Sequence, residues 1–341
     1  MRKMPKLFVA ILAAAIISLA TAVAVYTANN RWESGEISGQ AAFPSLGDRA
    51  NDVTTIEIAK GGKMLKLVRD NGHWEAKGDY EYPVKFDRVR SVIIKLSQAE
   101  LIEPKTRLPE KYELLGLNEP GKDSEARRLR LLDADGKTIV EAILGKKRWG
   151  AFGSGKSGTY VRKPDNPRTW LASLDATATP DIKDWAEKEF FKVDLKDIRS
   201  LTLEHAGEEP LAIHRKPGDE AAFELSLPSE ESKIKKDGPS PKSVAEVFKS
   251  IELEDLRKRE SPLPQEGTSL VRLETKDGLN VTFRHRKVGG DNWISVSAKG
   301  TGEAAGKAED LNARTGKWEF KIPGWKADKL FRHRSDFLET S

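Results

Sequence analysis

The feature that most restricts how this chain can fold is that it repeats itself. The segment DVTTIEIA at 52–59 returns 145 residues later as DIRSLTLE at 197–204. Both alternate apolar and polar residues, the pattern of a strand with one face in a core and the other in water. A second strand follows each, MLKLVRD at 64–70 and PLAIHRK at 210–216, and then a third carrying one aromatic, Trp74 or Phe223. Pro83 and Pro228 come next, again 145 residues apart. A helix is expected after each proline, bearing Val89, Val92, Ile93 and Leu96 in one case and Val244, Val247, Phe248 and Ile251 in the other. Each set has the spacing i, i+3, i+4, i+7, a single apolar stripe suited to packing on a sheet. Two hairpins also correspond, at 128–144 and 270–286, each with an Asp-Gly turn signal (Asp135-Gly136 and Asp277-Gly278). A last strand closes each unit, at 159–163 and 292–298.

The order β-β-β-α-β-β-β, written twice, predicts an α+β fold of two tandem repeats, each a mostly antiparallel sheet with one packed helix. The first repeat is expected over 51–179 and the second over 197–299. Residues 180–196 read as a connecting helix and turn. Residues 300–341 read as a polar insertion followed by a short helical segment with Trp318, Phe320 and Trp325 as aromatic anchors. The chain has no cysteine, so disulfides, thiolate metal sites and thiol chemistry are excluded and the cores must rest on apolar burial.

Ahead of the repeats lies a different kind of segment. Arg2, Lys3 and Lys6 precede residues 7–26, which contain no charge and no proline. Twenty such residues in a helix span about 30 Å, the thickness of a bilayer's hydrocarbon core. With basic charge before it, this predicts a single-pass anchor in the inner (cytoplasmic) membrane, N-terminus cytoplasmic and bulk periplasmic or otherwise extracytoplasmic. A cleaved signal peptide is the competing reading, because Ala20-Thr21-Ala22 and Ala22-Val23-Ala24 fit a small-x-small cleavage pattern. Either reading places the bulk outside. Residues 27–50 read as a juxtamembrane spacer. The net charge of +5 falls to +2 once residues 1–26 are set aside, so the basic balance does not argue for a nucleic-acid partner.

The order DVTTIEI, HWEA, YPVKFDRVRSVIIKLSQAELIE, YELLGLNEP, then the hairpin and ILGKK with GTYVR, resembles the bacterial domain of unknown function numbered 4340. The resemblance spans about 43–338 and is strongest over 52–205. Its most specific parts are 112–120, with the Gly116-Leu117 pair, and 158–162. The second half lacks a counterpart to YELLGL and has ESPLPQEG at 260–267 instead. The resemblance implies a membrane-anchored extracytoplasmic protein encoded beside ABC-type transport genes of the gliding-motility class. It brings no catalytic residues.

Individual motifs yield no site. Residues 150–157 (GAFGSGKS) satisfy GxxxxGK[ST], the phosphate-cradling loop. That loop needs a helix after it, and GTYVRKP reads as a strand. The histidines (His73, His205, His214, His285, His333) are scattered in sequence and form no HxxxH or HExxH pair. Asp133 with Asp135 flanks a turn, and Asp181 with Asp184 sits near a helix start. Basic clusters at 233–236, 257–259, 284–287 and 332–334 are interleaved with acids. The tryptophans are spaced as anchors of separate cores.

No catalytic, cofactor-binding or metal-ligating residue is therefore assigned. The expected protein is a non-catalytic accessory or scaffold subunit with integral membrane partners, ABC transporter subunits among them. A ligand-binding module for lipid, glycan or anionic polymer is the alternative.

Overall fold

The computed structural model describes residues 15–23, 39–151, 157–219, 222–227, 232–260 and 268–339. Among these, no helix is long and apolar enough to cross a membrane. Of the expected span at 7–26, only a helix over 15–23 is described, and the remainder lies outside the described residues. Pro228 and the core of the GAFGSGKS loop lie outside them too. The chain is α+β, with mostly antiparallel sheets and few helices.

Two compact units are present, Met1–Gly72 with Asp87–Pro180, and His73–Phe86 with Asp181–Ser341. The first unit contains β1 (Gln40–Ala41), β2 (Thr55–Lys60), β3 (Lys63–Asp70) and, after the helix Phe86–Ser97, β6 (Glu100–Pro104). It is completed by β7 (Arg127–Leu132), β8 (Thr138–Arg148), β9 (Gly158–Arg162) and β10 (Thr169–Ala172). Between β3 and the helix lie β4 (His73–Lys77) and β5 (Tyr82–Pro83), which group with the second unit. There Val84 bridges Ala186, and the Lys85 N–H donates to the Trp185 carbonyl at 2.8 Å.

The second unit contains β11 (Glu189–Phe191), β12 (Ile198–His205), β13 (Leu211–Arg215), β14 (Phe223–Leu225) and β15 (Ile251–Glu252). Then come β16 (Asp255–Lys258), β17 (Ser269–Thr275), β18 (Asn280–Val288), β19 (Asp291–Lys299) and β20 (Trp318–Ile322). In the first unit the sheet runs β6-β10-β9-β8-β7-β2-β3, and in the second β16-β20-β19-β18-β17-β12-β13. These are the same seven strands in the same order. The repeat is thus a repeat of topology.

The two turns match at the level of single hydrogen bonds. The Asp133 N–H donates to the Lys137 carbonyl, and the Thr275 N–H to the Leu279 carbonyl. Gly136 and Gly278 have φ of 76° and 91°, the left-handed conformation that makes glycine the residue of choice there.

Several elements differ from expectation. The helix stripe Val89, Val92, Ile93 and Leu96 is buried as expected. Its counterpart is shorter: an α-turn Pro241–Ala245 continues as the 3₁₀ segment Glu246–Lys249, and Ile251 already belongs to β15, paired with β11. The backbone turns extended at Ser250, so Ile251 reaches the core from a strand.

The polar insertion expected from residue 300 contains the helix Glu303–Thr315. Its buried face is Ala304, Ala308, Leu311 and Thr315, of which only Leu311 is a large apolar residue, so the stripe gives little signal. The 180–196 connector is not merely a turn, since Trp185, Phe190 and Phe191 are buried and Phe190 stacks on Phe320 at 4.1 Å. The spacer ends by residue 39: β1 pairs with β6, and Phe43 and Leu46 are buried. Of the three C-terminal aromatics, Trp318 and Phe320 are core, but Trp325 is exposed, as is Trp149.

Candidate functional site

The residues singled out by sequence serve mainly the fold. Asp133 accepts hydrogen bonds from Arg49 Nη2 at 2.7 Å and from the backbone N–H groups of Lys137 and Asp135. Burial pushes its pKa up, but these donors outweigh it and hold the carboxyl below the usual range. That is a stapled turn. The Asp184 N–H donates to the Asp181 carbonyl within a 3₁₀ turn. After the GAFGSGKS segment, strand β9 begins at Gly158, where a phosphate loop requires a helix.

The histidines are not all scattered. His205, on β12, faces Ser269 on β17, which faces His285 on β18. The His205 and His333 rings stack 4.0 Å apart, and His285 stacks on Phe331. Burial lowers the His285 pKa. Nonetheless, no group of three His, Asp or Glu side chains among the described residues is arranged to hold a metal.

Three of the four basic clusters contribute to ion pairs. Arg257 and Arg286 share Glu319, Arg286 also reaches Glu260, and Arg334 meets Glu209. In the fourth, Lys235 Nζ donates to the Ser335 carbonyl at 2.7 Å. A cavity of about 550 Å³ in the second unit is lined by Lys258, Arg259 and Lys317 but also by Asp79, Glu81 and Glu260. Its charges cancel locally, with Lys317 Nζ bonded to Glu81 and Glu260 paired with Arg286.

A pocket of about 380 Å³ in the first unit is different. It is lined by Lys105, Thr106, Arg107, Leu108, Lys111, Leu114, Leu115 and Arg168, so four cations and no carboxylate form its wall. Sequence reasoning missed it because Arg168 is far along the chain from the other three. The available signal was the run KTRLPEK at 105–111, three cations around a proline turn.

The wall is built by local geometry. The Lys105 N–H donates to the Thr169 carbonyl at 2.8 Å, and the Thr169 N–H to the Thr106 carbonyl at 2.9 Å. The Thr169 hydroxyl adds a hydrogen bond to the Thr106 carbonyl, also at 2.9 Å. A 3₁₀ turn, Pro109–Lys111, leads into the one-turn helix Tyr112–Leu115, which Gly116 ends at φ 67°. Tyr112 and Leu117 are buried with Ala126 and Ile143. The Tyr112 hydroxyl donates to the Pro167 carbonyl at 2.6 Å, tying this turn to the segment that carries Arg168. The family-like motif YELLGL is therefore one wall of the pocket.

Arg168 is only 7 % exposed, and its Nη1 donates to the Lys105 carbonyl at 2.7 Å. Burial, and then the positive charge of Arg107, push its pKa down. Lys105 also meets Glu103, which reaches it from β6. Leu114 is 71 % exposed and Leu108 44 %, so apolar surface adjoins the cations at the mouth.

The profile of the family described as Domain of unknown function (DUF4340) matches residues 74–266, more than half of the chain and inclusive of every residue of this pocket. No curated protein and no solved structure matches the chain. On this match, the chain is a member of the DUF4340 family.

Proposed function

We propose that this protein is a membrane-tethered, extracytoplasmic accessory or scaffold subunit that works by binding rather than by catalysis, in the setting of an ABC-type transport complex. The observation that carries this reading is the pairing of an uncharged twenty-residue segment at 7–26 with two units of the same strand order. The first supplies a tether, and the second supplies two similarly built bodies beyond it. Transport complexes need such parts to hold subunits or deliver ligands near the bilayer.

The test is extraction of the full chain from its native membrane in mild detergent, after cross-linking, with identification of what elutes with it. Integral membrane subunits of one transporter should co-elute in fixed proportion. Recovery of the chain alone, after efficient cross-linking, would sink the scaffold reading. Fusing a reporter that is active only outside the cytoplasm after Ser341 checks the orientation separately. An inactive reporter on a stable fusion would overturn it.

A further inference from the structure

We propose that the pocket formed by residues 105–115 and Arg168 binds the phosphate headgroup of an anionic amphiphile. The phosphate would lie among Lys105, Arg107, Lys111 and Arg168, with the first carbons of the chain along Leu108, Leu114 and Leu115.

The lining itself carries four cations and no carboxylate, and Glu103 reaches Lys105 from β6 rather than from the pocket wall, so the residues facing the cavity set like charges side by side, where they repel. Arg107 and Arg168 are close enough for that repulsion to register on Arg168. An anion in the pocket converts it into attraction. Arg168 is also held in place before any ligand arrives: it is nine-tenths buried and fixed to the Lys105 carbonyl. With Nη1 engaged and Nε buried, Arg168 contributes a fixed positive charge at the back of the pocket, and the exposed Arg107 and Lys111 supply the direct charge-assisted hydrogen bonds.

The exposed leucines settle the rest of the ligand. A site for free phosphate has no use for Leu114 and Leu108 in water beside the cations. A neutral glycan has no use for four cations. An extended anionic polymer calls for a track of charges, whereas these four surround one cavity. Its volume of about 380 Å³ lies at the small end of ligand pockets, suited to a headgroup and a short length of chain rather than a whole lipid.

The backbone around the pocket leaves little slack. A Cβ on Gly145 would lie 2.2 Å from the Leu115 carbonyl oxygen, so β8 presses directly against the turn that carries the leucines. The inference goes beyond the accessory role and does not depend on which membrane partner is recovered.

The test is calorimetric titration of the full chain in a non-ionic detergent with three probes: dioctanoyl phosphatidic acid, dioctanoyl phosphatidylcholine and inorganic phosphate. Phosphatidic acid should bind saturably and at least about tenfold tighter than either of the others, since charge-assisted hydrogen bonds and chain contacts act together. The double variant Arg107→Ala, Lys111→Ala should weaken phosphatidic acid at least about tenfold, because both side chains reach the pocket from an exposed segment. Leu114→Ser should weaken phosphatidic acid several-fold and leave phosphate unchanged. Unaltered melting of these exposed-site variants checks that they fold. Absence of saturable phosphatidic acid binding overturns the proposal, as does binding indifferent to the double variant. Phosphate binding as tightly as the lipid also overturns it, by showing a site for the free ion.

Discussion

Arg286 donates two parallel hydrogen bonds to Glu319, Nε to Oε1 at 2.8 Å and Nη2 to Oε2 at 2.7 Å. Arg257 adds a third from Nε at 3.0 Å while its guanidinium lies 4.0 Å over the Trp293 ring. Glu319 is buried, so one carboxylate out of water serves two guanidinium groups. Burial pushes its pKa up, but the two arginines prevail and keep it ionised. Replacing Glu319 with Ala strands those charges and should cost about 3–5 kcal/mol in denaturant unfolding. A loss below about 1 kcal/mol would mean that water replaces the carboxylate without penalty.

Gly145 meets the Leu115 carbonyl so closely that any side chain must displace backbone. Gly145→Ala should therefore destabilise the first unit by about 3 kcal/mol, the upper end of ordinary overpacking. The same substitution at Gly121, which has no left-handed φ and where a new Cβ meets nothing within 4 Å, serves as a control. Equal melting of the two variants would show that β8 can withdraw from the turn.

The Asp277 carboxyl is held at about 2, below its usual 3.8, by hydrogen bonds from Lys307 Nζ and the Thr275 hydroxyl. A carboxyl depressed in the folded state adds stability that is complete above the unfolded value and disappears as pH falls toward the folded one. Wild-type stability should thus decline between about pH 4 and pH 2, and Asp277→Asn should decline less steeply over that window. At pH 7 the substitution should cost within about 1 kcal/mol, because the pair faces solvent. Parallel curves for the two proteins in that acid range would contradict the assignment.

Asn312 fastens the helix Glu303–Thr315 to β19. Its amide accepts from the Ala298 N–H and donates to the Ala298 carbonyl, both at 2.8 Å. Asn312→Ala leaves both backbone groups without that partner and should cost about 1–3 kcal/mol. Amide exchange at Ala298 should accelerate correspondingly, and unchanged protection there would argue against the contact.

What the sequence made legible was whatever is written in large apolar residues at regular spacing. The alternation at 52–59 and 197–204, the stripe Val89–Val92–Ile93–Leu96 and the Asp-Gly turns all became the elements they announce. The helix Glu303–Thr315 was not legible because its buried side is mostly Ala and Thr, residues equally at home in a loop. Strands β6 and β16 were missed because they are short and rich in charge. The candidate pocket was hidden for another reason. A cluster made by folding has no spacing to read, and Arg168 joins Lys105 only through pairing of β6 with β10. The three histidines that meet around β12 and β18 were concealed likewise.

The shared strand order also carries a hazard during folding. In each unit the strand made just after the helical segment must wait for one made much later: Pro104 pairs with Trp170, and Arg257 with Glu319. Until then it is an open edge, and the chain contains two receivers of similar design. Charge distinguishes them. β16 brings Asp255, Arg257 and Lys258, a net cation, toward the strand that bears Glu319, whereas β6 brings Glu100 and Glu103 and no cation. Docked on β20, β6 would set carboxylate near buried carboxylate, a mismatch that disfavours the wrong closure. The buried ion pair of the second unit is thus expected to favour correct closure, sorting like from nearly like while the two halves of a duplicated chain find their own last strands.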